Sequence, residues 1–338
     1  MQVATLGVDL AKNVFQLCGV DSKGKVVLRR RVSRDQLSEL AVSLPPCTIA
    51  IEACPSAHHW AREFIRTGHT VKMISPQFVK PFVKGNKNDG NDAQAIVEAA
   101  QRPTMRFVPV KTIEQQDIQS LHRARTRLVN NRTGLVSQMR GILAERGIVF
   151  PKSITRARRE IPRITSDLTN DLSVLARELL RDLLEQLGEL DRRIAVMDRR
   201  IAAVFHASEP CQRLAKITGV GPMTATAIVA AIGNGSDFKN GRHLAAWLGL
   251  VPRQHSSGDR QRLYGISKRG DKHLRTMLIH GARAVVRIAS TKTDYRHKWV
   301  QAVRERRGVN RTIVAVANKN ARIIWSVLAK NEHYRACP

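Results

Sequence analysis

The first hundred residues alternate short β-rich runs with helical segments, and acidic residues close two of the apolar runs. That pattern confines this part of the chain to a layered α/β fold. Val3–Asp9, Val14–Val20 and Lys25–Val32 read as strands, and Asp21-Ser22-Lys23-Gly24 between the last two has hairpin chemistry. A helix is predicted from Arg34 to Leu44 with Ser33 as N-cap. Thr48–Ala53 reads as a buried strand, Pro55-Ser56 opens a helix to Thr67, and His69–Ser75 is a further strand.

Three meandering strands followed by helix, strand, helix and strand is the order of an RNase H-like fold. Asp9 follows the run Ala4–Val8, Glu52 follows Ile49-Ala50-Ile51, and Asp89 and Asp92 stand three apart at a helix start. A carboxylate ending a buried strand is costly unless it is paired or binds metal. Four such groups suit a pair of Mg²⁺ ions about 4 Å apart, with Mn²⁺ as the alternative cation. On residue type alone Asp92 equally suits a helix-capping acid, and Asp9 a strand end at a turn.

These acids sit in a basic chain. Lys and Arg number 57 against 28 Asp and Glu, for a formal charge of +29 over 338 residues. Such an excess points to a polyanionic partner, usually nucleic acid. No run approaches the roughly 18 consecutive apolar residues of a membrane span, and the start of the chain enters a strand-like run rather than a signal peptide. Cys18, Cys47, Cys54, Cys211 and Cys337 are odd in number and widely spaced. They predict neither a disulfide framework nor a zinc site, and they fit buried small side chains in a reducing cytoplasm.

The expected organisation is an α/β domain over 1–112, a helical region over 113–208 and a mostly α region over 209–338. Glu114–Arg146 and Asp167–Phe205 carry helical periodicity. Leu172, Leu175, Leu179, Leu183, Leu187, Leu190, Ile194, Met197 and Ile201 recur every three or four residues, as in an antiparallel hairpin or a seam for another subunit. Pro151–Pro162, rich in Arg and Lys, reads as a solvated loop. Leu214–Val229 resembles a helix-hairpin-helix, in which Gly219 and Gly221 bring backbone N–H groups to a phosphate; a plain tight turn is the alternative. Pro252–Gly270 reads as an irregular segment, in which a serine among Arg253, Lys268 and Arg269 suits attack on a phosphodiester. On local chemistry alone a bare Ser-Gly turn, which is commonplace, is the better reading of the same residues.

In their order and spacing these motifs resemble the DEDD-type insertion-sequence transposases of the IS110 family, bridge-RNA-guided recombinases. Gly7-Val8-Asp9-Leu10-Ala11-Lys12, Ile51-Glu52-Ala53 and Asn88-Asp89-Gly90-Asn91-Asp92-Ala93 resemble the three motifs of the family's RuvC-like domain. Ile217–Gly221, Ala246–Pro252 and Ser257-Gly258 with Ser267-Lys268 resemble its C-terminal transposase domain. The resemblance implies that Asp9, Glu52, Asp89 and Asp92 bind Mg²⁺ and that Ser257, with Ser256 beside it, attacks DNA and becomes joined to a strand end. It also implies a tetramer with active sites shared between subunits, donor and target double-stranded DNA as substrates, a structured noncoding guide RNA, and a place at the bacterial nucleoid. The competing readings are a RuvC-like endonuclease without a covalent step, a packaging protein, and a tyrosine recombinase built on Tyr295-Arg296-His297.

Overall fold

The computed structural model describes residues 2–84 and 89–335, with the backbone alone at Asp89. The chain forms two compact units, Met1–Thr112 and Ile113–Pro338.

In the first unit β1 (Thr5–Asp9), β2 (Val14–Val20) and β3 (Val26–Ser33) form an antiparallel meander. Helix α1 (Arg34–Ser43) follows at once, held by a capping box. The Ser33 hydroxyl accepts the Gln36 N–H at 3.4 Å, and the Gln36 amide oxygen accepts the Ser33 N–H at 2.9 Å. Then come β4 (Thr48–Glu52), α2 (Ala57–Arg66), β5 (Thr70–Ile74), the single turn α3 (Pro76–Val79), α4 (Asp89–Ala100) and β6 (Phe107–Val108). The sheet order is β3-β2-β1-β4-β5-β6, with β4 parallel to β1 and to β5, and β6 antiparallel on the edge. Strand β6 escapes sequence reading because two residues carry no periodicity.

Period-2 alternation sends Leu6, Val8, Ile49 and Ile51 to one face, where α1 and α2 bury them with Trp60 and Phe64. Residues of the opposite face, Ala50 and Ile74 with Ile96, and Cys18 and Val20 with Ala93 and Val97, are closed by α4. The sheet is therefore covered on both sides, and the ends of its parallel strands remain accessible.

The second unit is mostly helical. It comprises α5 (Ile113–Ala144), α6 (Ile154–Ser166), α7 (Val174–Ala207), α8 (Glu209–Ala215), α9 (Pro222–Ile232), α10 (Gly241–Trp247), the hairpin strands β7 (Pro252–Gln254) and β8 (Leu263–Ile266), α11 (Lys272–Ile288), α12 (Tyr295–Arg307) and α13 (Val309–Ala329). Helices α5 and α7 run antiparallel, since Arg125 pairs with Asp198 while Arg132 pairs with Asp191 at 3.0 Å. Beyond the first turn of α7, where Ala176 and Arg177 are also buried, the buried positions are Leu180, Leu187, Ile194 and Ile201, a heptad spacing. Leu172, Leu187, Ile194 and Ile201 of the stripe read from sequence are buried, whereas its Leu175 and Leu179 face solvent, so that stripe is wider than the true seam.

The segment expected as a solvated loop is largely helical. Ser153 caps α6, and Ala157, Ile161 and Thr165 place one residue per turn against α5 and α7. That buried stripe holds the helix together across Pro162, which removes only the hydrogen bond to the Arg158 carbonyl. Arg156, Arg158, Arg159 and Arg163 remain on the solvent side. The segment expected to be irregular, Pro252–Gly270, contains the antiparallel pair β7–β8. No described helix is long and apolar enough to cross a membrane.

Candidate active site

Asp9 is the last residue of β1 and Glu52 the last of β4. These strands are parallel neighbours with Val8 opposite Ile51, so both carboxylates leave the sheet side by side at its carboxyl edge. Asp92 arrives from α4. What brings it close is Gly7: a Cβ there would lie 2.5 Å from the Ala93 carbonyl oxygen and 2.5 Å from Val97 Cγ2. The helix rests directly on the β1 backbone, one residue after Asp92. Gly7→Ala is expected to lower stability by about 1–3 kcal/mol, read as a reduced urea midpoint with an unchanged slope, because neither backbone can yield cheaply.

The electrostatics agree with this convergence. Burial pushes the Glu52 carboxyl above its ordinary range, and the negative charges of Asp9 and then Asp92 push it further. The Cys54 thiol beside them is raised chiefly by burial and then by Glu52 and Asp9, so it stays protonated and leaves an all-oxygen donor set. Among the described residues no three acidic, histidine or cysteine side chains stand close enough to hold a metal ion outright. The Asp89 side chain and Asn88 lie outside the described residues; the Asp89 backbone opens α4. Hard oxygen donors that repel one another fit a divalent cation of the Mg²⁺ type, which relieves that repulsion on binding.

The serine lies on the β7–β8 hairpin in the second unit. Its base is pinned from several directions. Ser267 N–H donates to the Val251 carbonyl at 2.8 Å, and Lys268 N–H to that of Gly249 at 3.2 Å. The Arg275 guanidinium donates to Leu248 and Arg269 carbonyls at 3.0 and 2.7 Å, and the Asn318 amide to Leu250 at 3.1 Å. Gly270 packs so tightly that a Cβ there would lie 1.8 Å from the Trp247 carbonyl oxygen.

At the exposed tip, Ser257 forms a bridge with Arg260 across the turn, and Gly258 adopts φ +55°. The Ser256 hydroxyl accepts a hydrogen bond from the Gln254 amide at 3.0 Å, whereas that of Ser257 makes none among the described residues. Arg253, Lys268 and Arg269 are exposed on this hairpin and its base. Arg260 and Arg262 are also exposed, and no motif in the sequence marks them. Only the pairing across the turn reveals that Arg260 sits opposite Ser257.

The two glycines of the α8–α9 connection serve different ends. Gly219, at φ +86°, abuts α11, where a Cβ on Gly281 would lie 1.9 Å from the Gly219 carbonyl oxygen. It lets these two backbones pack closely. Gly221 is exposed at the start of α9 with open space around its α-carbon, which leaves that helix terminus accessible to a phosphate. The same connection consumes Arg296. This buried guanidinium donates to the Thr218 carbonyl at 3.2 Å, the Tyr334 hydroxyl at 3.1 Å and the Asn320 side chain. His297 is engaged with Asp294 at 2.5 Å. Neither side chain is available to assist Tyr295, which removes the support for a tyrosine nucleophile.

Comparison with known proteins agrees with both halves of this arrangement. A DEDD model described as "Transposase" matches residues 6–148, and one described as "Transposase IS116/IS110/IS902 family" matches 211–297. The chain is 51% identical over 338 residues to a "Probable family 20 transposase" of Pseudomonas aeruginosa, covering 99% of each. It is 48% identical over 333 residues to the "Transposase for insertion sequence element IS1111A" of Coxiella burnetii, covering 98% of this chain and 92% of that one. A "Pilin gene-inverting protein" of Moraxella bovis is 32% identical over 125 residues, 36% of this chain and 37% of that one.

Proposed function

The chain belongs to the IS116/IS110/IS902 family of transposases, and from that premise we propose that it cuts and rejoins DNA through a covalent bond to Ser257. Asp9, Glu52, Asp89 and Asp92 hold divalent metal, Mg²⁺ or Mn²⁺, at the carboxyl edge of an RNase H-like sheet. When bound, the metal neutralises charge that builds on the scissile phosphate.

The Ser257 oxygen attacks phosphorus, its proton passes to solvent, and the P–O bond to one deoxyribose breaks. One strand end leaves as a free hydroxyl and the other remains on Ser257 as a phosphodiester. Attack by the hydroxyl of an incoming strand reverses these changes and restores the serine. Arg253 and Arg260 on the hairpin, with Lys268 and Arg269 at its base, offset negative charge around the reacting phosphate. Gly221, with Gly219 setting the turn, presents the amino end of α9 to a second phosphate in the manner of a helix-hairpin-helix.

The carboxylates and the serine belong to different units, so one active site can draw on two copies of the chain. That suits a homotetramer acting on donor and target duplexes. Sequence choice resides in a structured noncoding guide RNA. A diffuse basic surface with only 4% aromatic residues serves backbone contacts, which do not read sequence. The bacterial nucleoid is the setting this implies.

The observation that carries the covalent reading is the Ser257 hydroxyl, exposed, without a hydrogen-bond partner among the described residues, and opposite Arg260. The direct test incubates the full chain with Mg²⁺, its guide RNA and duplex DNA spanning an element end, then denatures, digests and maps DNA-linked peptides. The expected linkage is at Ser257. Linkage at Ser256 moves the nucleophile by one residue, and nicked DNA with no linked peptide identifies a hydrolytic RuvC-like nuclease instead.

A further inference from the structure

A cleft of about 430 Å³ lies between α5, α9 and the beginning of α11, within the second unit and on elements other than the serine hairpin. Its size falls in the range of roughly 300–1,000 Å³ typical of ligand sites. Its wall holds an unusual pair. His122 on α5 is only 3% exposed, and its ring meets that of His273 on α11 edge to face at 5.9 Å.

The carbonyl acceptors available to the Thr226 hydroxyl favour one His122 tautomer. The Thr226 hydroxyl donates to the Pro222 carbonyl at 2.9 Å, so its oxygen accepts from His122 Nε2–H at 3.0 Å. In that tautomer the proton is on Nε2, and Nδ1 is a lone-pair acceptor. That Nδ1 is buried without a partner, as is His273 Nε2. Buried polar atoms are satisfied in the great majority of cases, so two orphans on one cleft call for a ligand.

The remaining lining describes that ligand. Ala227 and Ala231 on α9 give that side of the cleft a small apolar stretch. Arg123 and Arg127, one helical turn apart on α5, stand exposed on the rim. The lining carboxylate, Asp271, is occupied in capping α11, where it accepts the Leu274 N–H at 3.0 Å. A flat group bearing an N–H donor, joined to an anion, matches this set: imidazole edges and alanines for a base, guanidinium groups for its phosphate.

We propose that the cleft receives one unstacked nucleotide from a nucleic-acid strand, its base against His122, His273 and the α9 alanines and its phosphate on Arg123 and Arg127. The proposal rests on the chain being a nucleic-acid-processing transposase but not on Ser257 as nucleophile. Every base offers an N–H donor to Nδ1, so the site selects for an unpaired nucleotide rather than for a sequence. Burial foremost, then His273 and Arg125, hold His122 down to about 4, which keeps Nδ1 an acceptor at neutral pH.

The test measures affinity of the full chain for oligodeoxyadenylate and oligoadenylate of about ten residues, and for a DNA duplex of equal length. His122→Phe keeps a ring but removes Nδ1. Ala231→Leu fills the α9 side of the cleft and leaves every buried hydrogen bond intact, guarding against a folding artefact in the first variant. Both are expected to weaken one or both single strands on the order of tenfold while changing duplex affinity less than about twofold. Selective loss on the deoxy strand assigns the nucleotide to DNA, and on the ribo strand to RNA. Unchanged single-strand affinity in either variant, or parallel losses on strand and duplex, overturns the proposal. A wild-type chain that binds no duplex contradicts the DNA reading itself, whereas duplex binding without strand-selective loss contradicts only the cleft.

Discussion

Ser257→Ala is expected to abolish the protein–DNA adduct while leaving duplex affinity within about twofold of the unaltered chain. Removing a nucleophile ends the covalent pathway outright, because no neighbouring group inherits its geometry. Binding survives because the side chain stands at a solvent-exposed hairpin tip, and the hydroxyl supports nothing else among the described residues. The hairpin keeps its shape as well, since the bridge to Arg260 runs through backbone atoms and its base is pinned by Arg275 and Asn318. Ser256→Ala is the informative companion. It removes an oxygen that accepts from Gln254, and the adduct is expected to persist. The measurement is the yield of slow-migrating DNA on a denaturing gel, and loss in the Ser256 variant alone would transfer the role.

Legibility in the sequence follows how local the cause is. Strands β1 to β5 and helices α1, α2 and α5 stand close to their predicted ranges because alternation, caps and prolines act within a few residues. Asp9 and Glu52 are readable for the same reason, each being the polar stop of an apolar run. What fails is whatever depends on a distant surface. The α7 seam is set by the face that α5 presents, so counting leucines chose a stripe that includes the exposed Leu175. Helix α6 survives its proline through burial of Ala157 and Ile161, which local propensity does not register. Gly7 reads as an ordinary strand residue until α4 is laid across it, and the close approach of Gly281 to Gly219 has no local signal. His122 and His273 are far apart in sequence and belong to no motif, so only the fold introduces them to each other.

Asp9→Asn is expected to reduce metal-dependent strand cleavage by roughly a thousandfold, the scale of losing several kcal/mol of charge stabilisation at the reacting phosphate. Activity loss alone does not separate a metal-holding role from a structural one; the charge balance of the site does. In the metal-free chain the Asp9 charge is one reason the Glu52 carboxyl lies above its ordinary range, after burial and ahead of Asp92. A carboxyl raised on folding contributes a penalty that develops as pH rises through its unfolded and then its folded pKa, and it persists at neutral pH. Removing the Asp9 charge lowers Glu52 towards its ordinary value and reduces that penalty. Metal-free Asp9→Asn protein should therefore melt no lower than metal-free unaltered protein at neutral pH. The advantage should vanish in acid, where Glu52 is protonated in both. Added Mg²⁺ should raise the melting temperature of the unaltered chain, since a ligand bound only to the folded state stabilises it by mass action, and should do so far less in the variant. A variant that melts earlier without metal would mark Asp9 as structural, and one retaining both the Mg²⁺ shift and full cleavage would exclude it from the metal set.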